Sequence, residues 1–457
     1  MLSDIHIDPP TRPVRRGCFV RELYPLAMIL CFAGLHIPTF ASTGPAIPKP
    51  SIPARNFIIT EHGAVGDGVR NNAAAIQKTI DVAGAAGGGR VVIPAGKFVS
   101  GPISLKNHID LHFDKGAFLL MSPDVDDFPV ANNRRESFIS ANGMHDIRIS
   151  GEGTIDGQGE PWWKAFRAVK GSADTGPRRP QMIYLEKCER IELDGFSTLN
   201  PPNTHCSLRE SKDITINGLT MRAPDDSANT DALNLSIARN VIITRCDIST
   251  GDDNIVLLCS GKNDPADPKI SNVTIKDCKF GFGHGLSIGS YTSGGVRNVH
   301  AENLSFDGTT SGIRMKAWRD RGGVVKGISY RNITMRSVKF PIYITSYYPK
   351  TPKGPAEDLS PPTNAKNPEW TDITIENVTV TDSPNSIILW GLPDRPITNI
   401  LLKNVKASTS QGAVVFHTEV TFAGVKLTPG SGPPLQTFNA KVVGMDGVPF
   451  NGNFKAK

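Results

Sequence analysis

The segment Arg239-Asn240-Val241-Ile242-Ile243 carries the pattern that decides the fold, because related segments recur along the chain. Two related segments are Ser271-Asn272-Val273-Thr274-Ile275 and Arg297-Asn298-Val299-His300-Ala301. Their alternation of apolar and polar residues is typical of a β-strand with one buried face. Six further copies occupy residues 145–149, 189–193, 212–216, 326–330, 371–375 and 398–402.

The central apolar residues of these copies are 23 to 45 residues apart between Ile191 and Ile400. One such unit cannot bury its apolar face alone, so neighbouring units must stack on each other. Stacking places strands of successive coils about 4.8 Å apart. The sequence therefore predicts an all-β fold, a right-handed parallel β-helix.

We expect a backbone kink four positions after the central residue. In most copies glycine or asparagine, which tolerate a left-handed backbone, occupies that position. The members of this column are Gly195, Gly218, Asn303, Asn332, Asn377 and Asn404. We expect the asparagines to bond along the coil axis. Cys246 and Cys278 occupy the position after the kink in successive coils. We expect these two cysteines to be neighbours in the interior, either joined in a disulfide or as two buried thiols.

The chain ends and the charge suggest an exported protein with an anionic partner. Basic residues precede an apolar run at 23–35 and a small-residue cleavage site at 39–41, so we expect a signal peptide over 1–41. Retention of this leader as an anchor is the alternative. We expect a linker over 42–55, a catalytic β-helix over 56–425 with a capping helix at 71–86, and a tail over 426–457. The formal charge of +6 suits a polyanion. The sequence has no run of basic residues with interleaved aromatic residues, so we do not expect nucleic-acid binding.

Four short polar motifs fall in the stretch 229–316. They are Asn229-Thr230-Asp231, Gly251-Asp252-Asp253, Gly283-His284-Gly285 and Arg314-Met315-Lys316. Leu233, Ile255 and Leu286 align in successive coils in this interpretation, which stacks the polar residues two positions earlier: Asp231, Asp253 and His284. Period-2 alternation places Arg314 and Lys316 together on one strand face.

Hydrolysis of a glycosidic bond needs one carboxylic acid to protonate the leaving oxygen and one carboxylate to activate water or attack. Asp231, Asp252 and Asp253 supply these groups, and crowding them raises at least one pKa. Arg314 can hold a substrate carboxylate bidentately, and Lys316 can hold one as a point charge. The pattern therefore favours cleavage of an acidic polysaccharide.

The four ordered motifs on this repeat resemble glycoside hydrolase family 28, the polygalacturonases, over roughly residues 56–420. The resemblance implies hydrolysis of α-1,4-galacturonosidic bonds in polygalacturonate or pectin without a metal or cofactor. It implies that Asp252 is the general acid, that Asp231 and Asp253 activate the water with inversion, and that His284 assists the acid. Arg314 and Lys316 would bind the galacturonate carboxylate. Tyr348 matches the family tyrosine, with Tyr347 beside it as the alternative.

Several alternatives stay open at this point. Asp231 and Asp252 are about one coil apart, a separation of roughly 5 Å that the general rule associates with retention. A polysaccharide lyase or epimerase, a rhamnogalacturonan hydrolase and a non-catalytic polysaccharide-binding β-helix would share the scaffold. Endo or exo attack depends on whether loops such as 350–369 close the groove. We expect a monomer, with no membrane association after the leader is removed.

Overall fold

The computed structural model describes residues 46–131, 134–169, 178–262, 264, 266–357, 364 and 366–454. The expected signal peptide and the first residues of the expected linker lie outside these ranges. Within them, no helix combines the length and the apolar character that crossing a membrane requires.

The described chain is almost entirely β-structure. The first strands are β1 (Asn56–Ile58), β2 (Asp67–Asn71), β3 (Gly89–Ile93), β4 (Gly96–Ser100), β5 (Ile103–Ser104), β6 (Ile109–Phe113), β7 (Ala117–Met121), β8 (Val130–Ala131), β9 (Arg134–Arg135), β10 (Ile139–Asn142), β11 (His145–Gly151) and β12 (Thr154–Asp156). The two α-helices in the described ranges are α1 (Ala73–Ala85) and α2 (Glu160–Ala168).

The middle strands carry the polar motifs. They are β13 (Ile183–Glu186), β14 (Glu189–Asp194), β15 (Ser197–Leu199), β16 (Cys206–Asn217), β17 (Thr220–Arg222), β18 (Leu233–Thr244), β19 (Asp247–Ser249), β20 (Ile255–Leu258), β21 (Ile270–Lys276), β22 (Lys279–Phe280), β23 (Leu286–Ile288), β24 (Val296–Asp307) and β25 (Ser311–Lys316).

The last strands complete the stack. They are β26 (Val324–Arg336), β27 (Phe340–Thr345), β28 (Glu369–Trp370), β29 (Ile373–Ser383), β30 (Ile387–Trp390), β31 (Ile397–Phe416), β32 (Thr418–Ala423), β33 (Lys426–Phe438), β34 (Lys441–Val443) and β35 (Val448–Pro449). Short 3-10 helices cover Ile59–His62, Val125–Asp127 and Pro355–Glu357.

Thirty-three of the described strands form one sheet, in which each strand pairs in parallel with the strand one coil away. The sequence repeats lie in register along one ladder: Ile147, Ile191, Ile214, Val241, Val273, Val299, Ile328, Ile373 and Ile400. The prediction of a parallel β-helix is therefore confirmed. A second ladder follows each kink. A third, which we call the site ladder, runs through β13, β16, β18, β20, β23, β25, β27 and β30.

One apolar core fills the inside of the coils, and α1 covers its N-terminal end. Ile76, Ile80 and Ala83 of α1 are fully buried and belong to the same cluster as the strand residues. The helix packs against the 3-10 helix Ile59–His62 and against β3 and β5. The expected capping helix is confirmed, and it begins two residues later than the sequence interpretation placed it.

The asparagines of the kink column form the expected ladder along the coil axis. Asn332 donates to Asn303 at 3.1 Å, Asn377 donates to Asn332 at 3.0 Å and Asn404 donates to Asn377 at 3.1 Å. Each of these residues has a φ between 53° and 56°, the left-handed conformation that asparagine tolerates. Cys246 and Cys278, in the next column, are buried free thiols.

The parallel pairing continues beyond residue 425, where the sequence analysis places the start of a tail. β33 begins at Lys426 and pairs in parallel with β31 as far as Phe438, so the stack continues beyond that boundary. The glycines and prolines of this stretch, which are typical of turns, hide the strand in the sequence. Leu427 and Leu435 supply its buried side chains.

Candidate active site

The register of the site ladder brings the four polar motifs together. Leu233 pairs with Ile255, Ile255 with Leu286, and Leu286 with Ile313, which is the alignment expected from the sequence. These four side chains are fully buried. Alternation then directs the intervening residues to the opposite, outer face of the ladder. We call this outer surface, from Tyr184 in β13 to Tyr343 in β27, the site face.

Asp253 is the most enclosed carboxylate of the three acids. Its side chain is 8% exposed, and Arg314 Nη1 and Lys316 Nζ each lie 3.1 Å from one of its oxygens. Ser287 Oγ donates to Oδ1 at 2.6 Å. The two cations reach Asp253 from β25, two coils further on. The structure therefore joins the acid and cation motifs directly.

Asp252 is paired with the imidazole. His284 Nδ1 lies 3.0 Å from Asp252 Oδ1, and the Asp252 side chain is 24% exposed. Burial raises the pKa of Asp252, but the hydrogen bond and charge of His284 and the charge of Lys316 outweigh it, so the pKa is lowered overall. The Asp252 carboxylate is thus accessible and has a proton donor in contact.

Asp231 is the acid with the strongest tendency to stay neutral. Burial, reinforced by the charges of Asp252 and Asp253, raises its pKa to about 8. Asn234 Nδ2 donates to Asp231 Oδ2 at 2.9 Å, which opposes the shift. Asp231 and Asp252 therefore have pKa values that are shifted in opposite directions.

Glycine is required on both sides of His284 for steric reasons. A Cβ at Gly283 would lie 2.4 Å from Asn254 Oδ1, and a Cβ at Gly285 would lie 2.1 Å from the carbonyl oxygen of Ser311. Both residues also have positive φ, at 139° and 70°. The motif Gly-His-Gly therefore folds the imidazole tightly against neighbouring coils, next to Asp252.

Tyr348 lies over the two cations, whereas Tyr347 does not. Lys316 Nζ is 4.9 Å from the centroid of the Tyr348 ring, and Arg314 Cζ is 5.5 Å from it. Tyr347 is buried and packs edge-on against Trp390 at a centroid distance of 5.4 Å. Of the two neighbouring tyrosines, the geometry favours Tyr348 as the substrate-facing one.

The sequence reasoning missed several residues that contact the acids. Asn234 and Ser287 occupy the same outward column as Arg314, so period-2 alternation could have identified them. Arg179 could not be identified in this way, because it lies in a loop. Its Nη2 donates to Asn229 Oδ1 at 2.7 Å, and Asn229 Nδ2 lies 3.5 Å from Asp252 Oδ2.

Among the residues that the structure describes, two groups of side chains have the composition of a metal site. Donor atoms of Asp252, Asp253 and His284 lie within 4.8 Å of one another, as do those of His108, His145 and Asp146. In the first group, Arg314 and Lys316 already balance the charge of Asp253. In the second, Arg190 makes two 2.9 Å bonds to Asp146. These cations disfavour a metal ion at either place.

The model of "Glycosyl hydrolases family 28" matches residues 85–427. This chain belongs to that family. It is therefore a glycoside hydrolase, as the four motifs indicated.

Individual family members support the same assignment. An endo-polygalacturonase of Pectobacterium carotovorum subsp. carotovorum is 30% identical over 394 residues, which cover 81% of this chain and 91% of that protein. A probable polygalacturonase of Vitis vinifera is 31% identical over 374 residues, covering 77% of this chain and 74% of that protein.

Among solved structures, a family 28 exopolygalacturonase of Yersinia enterocolitica superposes with a TM-score of 0.74 at 26% identity, covering 88% of this chain and 80% of that one. The polygalacturonase of Erwinia carotovora ssp. carotovora gives a TM-score of 0.66 at 27% identity, with coverages of 87% and 98%. The similar proteins thus include both endo- and exo-acting enzymes.

Proposed function

We propose that this chain hydrolyses the α-1,4-galacturonosidic bonds of polygalacturonate and pectin with inversion at the anomeric carbon. The observation that carries the proposal is the contact of Asp253 with both Arg314 and Lys316, next to the Asp252–His284 pair. Cations that can bind an anionic sugar are thereby fixed beside the acids that can cleave it. The family membership and the polygalacturonases among the similar proteins support this substrate.

Asp252 protonates the leaving glycosidic oxygen in this mechanism. It is more exposed than Asp253, and His284 Nδ1 can supply its proton across 3.0 Å. The pKa of Asp252 is lowered in the unliganded protein. A galacturonate carboxylate bound nearby adds negative charge, which raises that pKa and favours the protonated form that a general acid needs.

Asp253 and Asp231 act on the attacking water. Asp253 accepts the proton of the water, and its contacts with Arg314 and Lys316 hold the accepting carboxylate in a fixed position. Asp231 keeps its own proton up to about pH 8 and orients the same water through a hydrogen bond. Water attacks the anomeric carbon as the bond to the leaving oxygen, protonated by Asp252, breaks.

Arg314, Lys316 and Tyr348 hold the sugar next to the scissile bond. The guanidinium and ammonium groups bind the galacturonate carboxylate, and the tyrosine ring packs against the two cations. No metal ion or cofactor takes part. The protein works as a secreted monomer after removal of residues 1–41, in the extracellular space or the periplasm.

The decisive experiment is incubation of the mature protein with polygalacturonate while reducing ends and ultraviolet absorbance are recorded together. The proposal predicts new reducing ends without new absorbance from conjugated double bonds. Reducing ends that appear with that absorbance would identify a lyase and refute hydrolysis. Binding of polygalacturonate without any new ends would identify a non-catalytic binding protein.

A further inference from the structure

The stretch Gly283-His284-Gly285, which we call the histidine turn, is held by one buried asparagine. Asn254 has no exposed surface. Its Nδ2 donates to the carbonyl oxygen of Phe282 at 2.9 Å, and its Oδ1 accepts from the backbone N–H of Gly285 at 2.7 Å. Phe282 directly precedes the histidine turn, and Gly285 is its last residue. The amide of Asn254 therefore spans the backbone that carries the imidazole.

The same amide also binds the coil that carries Asp252. Nδ2 of Asn254 donates to the carbonyl oxygen of Ile248 at 3.3 Å, in addition to its bond to Phe282. A primary amide offers two N–H donors and one carbonyl acceptor. Both donors and the acceptor of Asn254 are thus used, and they join the histidine turn to the preceding coil.

The histidine turn needs such contacts because it contains two glycines. Gly283 and Gly285 both have positive φ, and glycine has more backbone freedom to lose than any other residue. The backbone N–H of His284 donates to the carbonyl oxygen of Asp252 at 2.9 Å, which fixes the middle of the turn. The bonds of Asn254 fix the two ends. Together these contacts leave the imidazole in one place.

The exact place of the imidazole matters because two acids lie within its reach. His284 Nδ1 is 3.0 Å from Asp252 Oδ1 and 3.9 Å from Asp253 Oδ1. A displacement on the order of 1 Å in an active site can cost a large factor in rate. The choice of Asp252 over Asp253 as the partner of His284 therefore depends on how the histidine turn is held.

We propose that Asn254 is a positioning residue for the reaction, because its buried amide holds both ends of the histidine turn and keeps His284 in contact with Asp252. The inference rests on the proposed function, in which His284 assists the acid. Asn254 is enclosed, so it touches neither the substrate nor the reacting atoms. Its replacement should therefore slow the chemical step and leave substrate binding unchanged.

The first test is steady-state kinetics on polygalacturonate. Asn254→Ala should lower kcat about tenfold or more and leave KM within about twofold, because only an interaction of the transition state is lost. Asn254→Ser keeps one hydroxyl donor and should show a smaller loss of kcat. Every measurement is made on both variants, so the test does not depend on the folding of Asn254→Ala. An unchanged kcat in a folded variant would overturn the proposal.

Asn72→Ala is the matched control for the loss of a buried amide. Asn72 is 2% exposed, and its Nδ2 donates to the carbonyl oxygens of Val65 and Val99 at 3.1 Å each. It lies beside α1 at the N-terminal end of the stack. Asn72→Ala should lower the melting temperature but leave kcat unchanged at a temperature where the variant is folded. An equal fall in kcat for Asn72→Ala and Asn254→Ala would show that lost stability alone explains the effect.

A double-mutant cycle with His284→Ala separates positioning from a general structural role. If Asn254 acts through the imidazole, Asn254→Ala should cause no further loss of kcat once His284 is alanine. A second loss by the same factor would show that Asn254 acts on another group, such as its neighbour Asp253, and would overturn the proposal.

The last test does not depend on turnover. In crystal structures of Asn254→Ala and Asn254→Ser, the distance from His284 Nδ1 to Asp252 Oδ1 should exceed about 3.5 Å, beyond hydrogen-bond length. Asn72→Ala should keep the 3.0 Å contact. Retention of that contact in both Asn254 variants would refute the positioning role. Failure of the proposed function would appear separately, as a wild-type protein that releases no reducing ends.

Discussion

Two columns of polar residues run along this molecule, and they serve different purposes. The asparagines at the kinks hydrogen-bond to one another from coil to coil, so each amide is satisfied by an identical neighbour. The second column, which we call the site column, lies at the site face. It brings together Asp252, Asp253, His284, Arg314 and Lys316, which differ in length and charge. The same register builds both columns. Uniform residues make a neutral ladder that holds the coils together, and mixed residues concentrate charge that a substrate can use.

The largest effect is expected from changing Asp252, the acid that protonates the leaving oxygen. Asp252→Asn removes the proton donor while keeping the shape of the side chain, so kcat should fall about a thousandfold or more. The melting temperature should stay close to that of the wild type. Appreciable residual turnover, measured as reducing ends from polygalacturonate, would remove Asp252 from the role of general acid.

The next effect concerns the acid that holds the two cations. Asp253→Asn leaves Arg314 and Lys316 enclosed without a full countercharge, at side-chain exposures of 12% and 6%. We expect a loss of stability of about 3 kcal/mol in urea unfolding, together with a loss of activity. Asp307→Asn, which breaks an exposed pair with Arg336, is the control and should cost less than about 1 kcal/mol. Equal losses for the two variants would contradict the enclosed ion triad.

The pH dependence of stability tests the environment of Asp231. The unfolded chain loses this proton near the ordinary pKa of 3.8, whereas the folded chain keeps it until about pH 8. The contribution of Asp231 to folding stability therefore falls as pH rises through this window. Asp231→Asn should gain in melting temperature relative to the wild type as pH rises from about 4 to 8. Asp225→Asn, at an exposed position, serves as the control. A difference that stays constant with pH would contradict the raised pKa.

The smallest effect is expected from changing an asparagine of the ladder at the kinks. Asn332→Ala removes two amide hydrogen bonds and places alanine at a φ of 55°, so it should cost about 1–2 kcal/mol of stability. Asn332→Gly keeps the backbone conformation accessible and isolates the cost of the hydrogen bonds. Neither variant should change kcat. A change in kcat in a variant that is fully folded under the assay conditions would mean that the asparagine ladder affects the catalytic residues.

The sequence predicted the register well, because each coil carries a buried apolar residue at a fixed place in a period-2 strand. The alignment of Leu233, Ile255 and Leu286 and the outward position of Arg314 follow from that pattern. It could not predict which acid the cations contact, because Arg314 and Lys316 have long side chains that reach across two coils to Asp253. The neighbouring tyrosines were also ambiguous, because the sequence does not show that Tyr347 packs against Trp390 while Tyr348 lies over the two cations.

Loop residues were the least accessible to sequence reasoning. Arg179 reaches Asn229 from outside the repeat, and Arg134 reaches Tyr184 from a hairpin of two-residue strands. Neither has a periodic position that would reveal its partner. The strand that begins at Lys426 was missed for a related reason, because turn-forming residues replace the apolar repeat there while the backbone still pairs.

The most direct measurement of the central claim is proton NMR of the first products that the mature protein releases from polygalacturonate. Acid/base chemistry by Asp252, Asp253 and Asp231 predicts saturated reducing ends that appear first in the β configuration. First-formed ends in the α configuration, or unsaturated ends, would contradict this account of the site.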